Sequence, residues 1–172
     1  MRISQTKEQI SALNAFQNHC ELEAISLQSC TTSRAKAGSQ FQEPFEVKPV
    51  LSNIGYSVQG ERFVVEVSFE YTAWDSSDPP ERLFKIDCTF EACYLLLDAH
   101  VPTEEQKSSF SKGTAVFNCW PYAREFLRDM TARLGHQTPA LPFLRITPKK
   151  PEPVASSQPD PLPPVDTKAL EP

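Results

Sequence analysis

The sequence predicts an α+β fold, in which a four-stranded antiparallel sheet packs against a long, proline-bent C-terminal helix. Two observations predict it. Segments 62–74 and 82–97 carry apolar residues at every second position across a short polar loop, which is the pattern of a half-buried hairpin. After them the apolar spacing becomes helical and ends at Gly135. The length of 172 residues favours one globular domain.

Residues 1–18 are predicted to form a short N-terminal helical extension. Thr6 and Gln9 have the spacing of a capping box. Apolar residues follow at helical spacing, namely Ile10, Leu13 and Phe16. The main domain is expected to span residues 19–146.

Four strands are predicted in this domain. Residues 20–30 are a weak strand candidate, and residues 45–58 are a less regular strand in which Pro49 favours a sheet edge or a bulge. A turn at residues 59–60 leads into the two alternating strands. Because the connections are short, we expect mostly sequential, antiparallel strands.

The two alternating strands define a buried and an exposed face. The buried face is predicted to take every second side chain from Phe63 to Ala73 and from Phe84 to Leu96. The opposite face is polar, and there the residues Val64 and Trp74 are exceptions.

The helical region after the sheet begins with a second capping box at residues 103–106 and is interrupted by Gly113. Proline lacks an N–H group and clashes with the preceding turn. A break or kink is therefore predicted at residues 120–121, followed by regular helix over 121–134. One apolar stripe of this helix is expected to contain Tyr122, Phe126 and Met130.

The apolar side chains exceed what one sheet face and one helical stripe would bury. Val116, Phe117 and Trp120 form a second apolar surface just before the proline, in addition to Val64 and Trp74 on the sheet. Such a surplus indicates a larger core or a surface for a partner. The residues alone favour the larger core.

Composition opposes several classes of function. A net charge of −5 and a pI near 5.2 oppose binding to nucleic acid or to an anionic membrane. No apolar run reaches the roughly 18 residues of a membrane span, and the N-terminus lacks the pattern of a secretory signal. The cysteines number five, which opposes a disulfide framework. We expect a cytoplasmic protein with reduced cysteines.

No enzymatic activity, metal or cofactor is predicted. His19, His100 and His136 are scattered without metal-ligand spacing, and the sequence has no glycine-rich phosphate loop. A nucleophilic pair such as Cys93 and His100 is the catalytic alternative.

Residues 147–172 contain eight of the sixteen prolines and no aromatic residue. Such a segment buries too little apolar surface to offset the entropy lost on ordering. A disordered tail with polyproline II character is predicted. A solubilising role is favoured over docking of its P-x-x-P spacings in an aromatic groove.

The stretch NCWPYAREFLRDMTARLGHQTPALPF, residues 118–143, resembles the helix signature of the SecB protein-export chaperone family. Met130 and Arg133 follow the signature in register, and the strands before it have a similar order. The resemblance covers roughly residues 19–146. The signature residues are Pro121, Tyr122, Ala123, Arg124 and Glu125.

This resemblance implies an ATP-independent chaperone that binds unfolded polypeptide clients and assembles as a dimer of dimers. Nucleic acid and membrane are not expected as partners. The apolar client groove is expected to include Phe63, Val64, Trp74 and Phe84. The oligomer interface is expected to include Phe117, Trp120, Tyr122, Phe126 and Met130.

The chain departs from the family members that deliver clients to the SecA motor. Those members use acidic residues on the first strand and near the hairpin loop. Here Ser29 and Ser33 stand at the strand positions, and Glu81 and Asp78 offer acid near the loop. This pattern resembles divergent SecB-like proteins, some of which protect one antitoxin of a toxin–antitoxin module. General client holding, a dedicated antitoxin partner and a non-chaperone α+β binding domain stay open as alternatives.

Overall fold

The computed structural model describes residues 1–34, 45–76, 78–136, 139–141 and 143–148. The strands are β1 (Arg2–Gln5), β2 (Cys20–Arg34), β3 (Glu46–Gln59), β4 (Arg62–Trp74), β5 (Arg82–Leu96) and β6 (Arg145–Pro148). The helices are α1 (Lys7–Gln17), α2 (Glu104–Phe110) and α3 (Val116–Arg133), and a π-helical segment (Ser111–Ala115) joins α2 to α3. None of the described helices is long and apolar enough to cross a membrane.

The four long strands form one antiparallel sheet in the order β2-β5-β4-β3, which confirms the predicted α+β fold. β4 and β5 pair as the predicted hairpin. In the loop between them, the Glu81 N–H group donates to Asp75 Oδ1 over 2.8 Å. β3 turns into β4 at Gly60, whose φ of 63° suits the first central position of a type II′ turn. Pro49 lies on an edge strand, as its sequence context predicts.

The strand order is not fully sequential, because β2 pairs with β5 at the edge opposite β3. The weak strand predicted at residues 20–30 is real and extends to Arg34. The hairpin leaves one side of β5 open, and β2 satisfies the backbone groups there. No local turn signal encodes this distant pairing.

The core lies on one face of the sheet. Every second residue of β4 from Phe63 to Ala73 and of β5 from Phe84 to Leu96 is buried, which confirms the predicted alternation. Helix α3 packs across these two central strands, and the ring centroids of Trp120 and Phe69 lie 5.7 Å apart.

Of the break or kink predicted at residues 120–121, the break is wrong, since α3 runs through Pro121 without interruption. A kink at this position stays a prediction. The helical region is continuous over residues 104–133, and its departure from α geometry is the π-helical segment, which lies about two to three turns before Pro121. Pro121 is exposed on this helix, so its ring lies on the solvent side. The hydrogen bond that its nitrogen cannot donate is therefore lost on the side away from the core.

The buried stripe of α3 is rotated by about one residue from the predicted one. Tyr122 is half-exposed, whereas Phe126 and Met130 are only partly buried at the edge of the core. The fully buried positions of the helix are Val116, Cys119, Trp120, Ala123, Leu127 and Thr131.

Gly113 lies in the π-helical segment where α1 and β1 approach. A Cβ atom there would overlap the Leu13 side chain and lie 2.9 Å from Gln5 Nε2. Gln5 is itself buried and donates from Nε2 to the Ser109 carbonyl oxygen over 2.9 Å. Gly113 therefore allows the N-terminal segment to pack closely on the helical region. It does not interrupt that region, as the sequence had suggested.

The two short strands were not predicted. β1 pairs in parallel with β6, and Ser4 and Gln5 lie opposite Thr147 and Pro148. The expected boundary at residue 146 therefore falls inside a strand, and the N-terminal segment begins with a strand before its helix. Residues 149–172 of the predicted tail lie outside the described residues. The capping boxes at Thr6 and Thr103 are confirmed.

Candidate functional site

Two of the four expected client-binding residues lie in the core. Phe63 is fully buried against Phe16 and Phe110, with ring centroids 5.5 and 5.9 Å away. Phe84 is also fully buried and lies 5.2 Å from the His136 ring. A client could reach either ring only if the core opened. The sequence already contained this conflict, because both residues fall on the predicted buried face.

The other two expected client residues lie on the opposite face of the sheet. Trp74 is 37% exposed at the end of β4, whereas Val64 is 9% exposed. Around them the face is polar and charged. Lys85 Nζ lies 2.9 Å from Glu70 and 3.2 Å from Asp87, and these carboxylates raise the pKa of the lysine. This face therefore exposes two large apolar side chains among polar and charged neighbours, namely Trp74 and Val50, and Val50 is 50% exposed opposite Glu70.

The expected interface residues of α3 divide into two groups. Trp120 is 4% exposed and belongs to the core of its own chain, whereas Phe117 and Tyr122 are 55% and 51% exposed. Phe126 packs edge-on against Phe90 of β5 at a centroid distance of 6.1 Å, and Met130 is half-buried beside the core. Phe117 and Tyr122 are thus the aromatic residues of this helix that a partner could cover.

A shallow groove of about 290 Å³ separates α3 from the segment that follows it. It is lined by Pro121, Arg124, Glu125, Arg128, Pro139 and Leu141. The Arg124 guanidinium lies 5.1 Å from the Phe143 ring centroid, and that ring is 75% exposed. The groove therefore offers guanidinium donors, and the accessible Phe143 ring lies against one of them, Arg124. Three of the five signature residues line it, and a fourth, Ala123, is buried beneath the helix.

A second accessible apolar surface, the β2 strip, consists of Leu22, Ile25 and Leu27. Their register partners Tyr94, Ala92 and Phe90 face the core, so the strip continues the core face beyond the helix. Leu22 and Leu27 are 41% and 42% exposed. Among the described residues, β2 pairs only with β5, so its other edge presents backbone N–H and C=O groups beside the strip.

The edge strand β3 also has an uncovered apolar end. Tyr56 and Val58 lie opposite Val65 and Phe63, on the core face of the sheet, and are 39% and 44% exposed. Val58 lines a cavity of about 350 Å³ together with Leu96, Val101 and Pro102 among others. The helix layer thus covers the central strands and leaves apolar side chains open on both sides.

The structure does not assemble the catalytic pair that the sequence left open. Cys93 Sγ lies 3.5 Å from Glu23 Oε2, and burial followed by this carboxylate raises the pKa of the thiol, the opposite of what a nucleophile requires. His100 stacks on His19 at 4.3 Å and on Phe16 at 5.7 Å. In the parts of the chain that are described, no three His, Cys, Asp or Glu side chains are grouped as metal ligands.

The positions aligned with the SecA-docking acids are exposed. Ser29 and Ser33 lie on the polar face of β2, opposite Thr89 and Lys85. Asp78 and Glu81 are exposed in the hairpin loop.

The chain is similar to known proteins in structure rather than in sequence. No family model and no curated protein sequence matches the chain. Among solved structures, the chain is similar to the Mycobacterium tuberculosis Rv1957 SecB-like chaperone in complex with a ChAD peptide from the Rv1956 HigA1 antitoxin. The TM-score is 0.67 at 20% identity, and the match covers 80% of this chain and 99% of that one.

A protein of unknown function from Streptococcus agalactiae also matches, with 12% identity over 72% of this chain and 97% of that one. Its TM-score of 0.38 is too low to carry an argument. The likeness to the Rv1957 structure, together with the four-stranded antiparallel sheet and long C-terminal helix of this chain, confirms the resemblance noted in the sequence at the level of architecture. The chain has the fold of a SecB-like chaperone.

Proposed function

We propose that this protein is a non-enzymatic chaperone that holds unfolded polypeptides without ATP. The observation that supports it most directly is the exposure of apolar side chains on both sides of the helix layer, in a SecB-like fold. A folded protein that served only as a scaffold would gain stability by covering the β2 strip.

An extended client has two physical means of binding here. Its apolar side chains bury against the β2 strip, at roughly 25 cal/mol per Å² of area removed from water. Its backbone pairs with the open edge of β2, which gives affinity without reading side chains closely. Arg124 and Arg128 in the groove beside α3 are donors for client carbonyl or carboxylate groups. Trp74 stays in the proposal as an accessible contact on the other face, and Phe63 and Phe84 are replaced by Leu22 and Leu27.

Assembly into a dimer of dimers in the cytoplasm is part of the same proposal. Phe117 and Tyr122 are aromatic, exposed and on the helix that carries the signature. Aromatic residues are enriched in protein interfaces and in their energetic centres. Trp120 supports such an interface from below by fixing α3 on the sheet.

A dedicated client is the second candidate function. The similar Rv1957 structure contains a peptide from an antitoxin, so this fold accommodates a short antitoxin segment. Delivery to the SecA motor is less well supported, since Ser29 and Ser33 provide no negative charge at the aligned positions. One labile antitoxin is therefore the alternative to many unfolded clients.

The test is suppression of aggregation for several unrelated, chemically denatured proteins at stoichiometric ratio without nucleotide. We expect the wild type to slow aggregation, also at high salt, because the apolar contribution is weakly screened. Burying one leucine side chain against a client contributes about 1.5–3 kcal/mol to the free energy of binding. Leu27→Asp removes this contribution and should weaken client binding by about tenfold or more. Ser26→Asp is the matched control, since Ser26 is exposed on the same strand but points to the polar face.

Light scattering on both variants separates loss of binding from loss of assembly. If the wild type fails to slow aggregation of every client, general holding is wrong. Binding of antitoxin peptides encoded beside this chain would then decide for the dedicated role.

A further inference from the structure

Two cysteines face each other across the β2–β5 ladder. Cys30 and Cys88 are register partners, so their side chains leave the sheet on the same face. Directly opposite residues of antiparallel strands have Cα atoms about 4.5–5.5 Å apart, and disulfides bridge Cα separations of about 4.4–6.8 Å. The backbone therefore meets the distance requirement of a disulfide. Both thiols are free in this structure.

The two thiols differ in their access to solvent. Cys30 is exposed on the edge strand, whereas Cys88 is 2% exposed on the central strand β5. Burial, with smaller contributions from Cys30 and Asp87, raises the pKa of the Cys88 thiol to about 12. A dissolved oxidant consequently meets Cys30 first, and Cys88 is held beside it as a protected second thiol.

The other cysteines lack this arrangement. Cys20 lies opposite Leu96, and Cys93 lies opposite Ala24 on β2 and Val64 on β4. Cys119 is fully buried in α3, and burial raises its pKa to about 12. Among the described strands, Cys30 and Cys88 are the one cysteine pair in direct register.

We propose that Cys30 and Cys88 form a reversible cross-strand disulfide when the protein meets a peroxide. The Cys30 thiolate attacks the O–O bond of hydrogen peroxide, which gives a sulfenic acid on Cys30 and releases hydroxide. The Cys88 thiol stays protonated until it reacts, and its sulfur attacks the sulfenic sulfur while its proton passes to the sulfenic oxygen. The S–S bond forms, and the sulfenic hydroxyl leaves as water with the thiol proton. Two electrons pass from the two thiols to one peroxide, and a dithiol reductant reverses the bond by thiol–disulfide exchange.

The bond would join the C-terminal stretch of the edge strand β2 covalently to β5. The β2–β5 register shifts between Leu22 and Ala24 and again between Leu27 and Ser29. Bulges of this kind interrupt the ladder, so the stretch that contains Cys30 is separated from the rest of the strand. A covalent link at this point holds the end of the edge strand to β5 and restricts its local opening. This inference does not depend on client binding.

The first experiment counts thiols and maps the bond. The full chain is treated with excess hydrogen peroxide and denatured, and its free thiols are titrated. We expect the count to fall from the five of the sequence by two, with mass spectrometry showing a Cys30–Cys88 peptide pair that a dithiol reductant removes. Cys30→Ser should abolish the cross-link. Cys93→Ser, a change on the opposite face of β5, should leave it intact.

The second experiment measures backbone amide exchange of the oxidised and reduced chain. Exchange in residues 29–34 should slow by about tenfold on oxidation, since opening of a linked edge is restricted. Three outcomes would overturn the proposal. They are five free thiols after peroxide treatment, a link that joins two copies or involves another cysteine, and loss of the link in Cys93→Ser.

Discussion

At the scale of single residues, two aromatic side chains three positions apart on α3 have different roles. Trp120 is buried over Phe69, whereas Phe117 is more than half exposed. The surplus of apolar residues in the sequence therefore has both of the explanations that the residues alone left open. Part of it enlarges the core, and part of it is accessible to a partner.

We expect Trp120→Ala to lower the free energy of unfolding by about 3–5 kcal/mol, the range for truncating a buried aromatic residue. Phe117→Ala should change it by less than about 0.5 kcal/mol, as exposed positions generally do. Urea unfolding measures both. The Phe117 variant should instead lower the molar mass measured by light scattering. An equal loss of stability in both variants would contradict the division between core and surface.

At the scale of elements, the sequence predicted the features that depend on neighbouring residues, namely the strand faces and the helix starts. The faces of β4 and β5 follow from alternation, because a hairpin sets its own register. The capping boxes at Thr6 and Thr103 also act within one turn. The path of α3 through Pro121 was missed, since an exposed proline at a helix surface leaves the packing of the buried stripe intact.

The π-helical segment gives a prediction at this scale. In an ordinary helix, Gly→Ala stabilises by about 1 kcal/mol. At Gly113 the added methyl would meet Leu13 and Gln5, and overpacking of this kind destabilises by about 1–3 kcal/mol. Gly113→Ala should therefore lower the melting temperature, whereas Lys112→Ala, at an exposed neighbour, should not. A higher melting temperature for Gly113→Ala would show that α1 does not pack closely there.

At the scale of the whole molecule, the missed features are contacts between distant parts of the chain. Four residues of β1 and four of β6 are too short to show a periodic pattern, and their parallel pairing joins the two ends of the described chain. The pairing of β2 with β5 has the same character. Of the expected client residues, Phe63 and Phe84 lie in the core, where the alternation had already assigned them, and the client groove itself stays a prediction.

Truncation tests the boundary of the folded chain. Removing residues 149–172 should change the free energy of unfolding by less than about 0.5 kcal/mol, because the described contacts of β6 remain. Removing residues 145–172 deletes the strand that pairs with β1. One hydrogen bond makes a net contribution of about 0.5–1.5 kcal/mol to stability. We therefore expect urea unfolding to show a measurable loss in the free energy of unfolding. Equal stability of both truncations would show that β6 contributes nothing.

The register shifts in the edge strands limit how many consecutive residues of an added polypeptide can pair with the edge of the sheet. The longest uninterrupted pairings of β2 and β3 are residues 29–34 and 53–59. A polypeptide added alongside either edge meets a twist after a few residues and cannot continue as one long ladder. Its residence is then governed by short, independent contacts that dissociate one after another. Dissociation of such a polypeptide would need no ATP hydrolysis. The same bulges would also hinder edge-to-edge assembly of these sheets into fibrils.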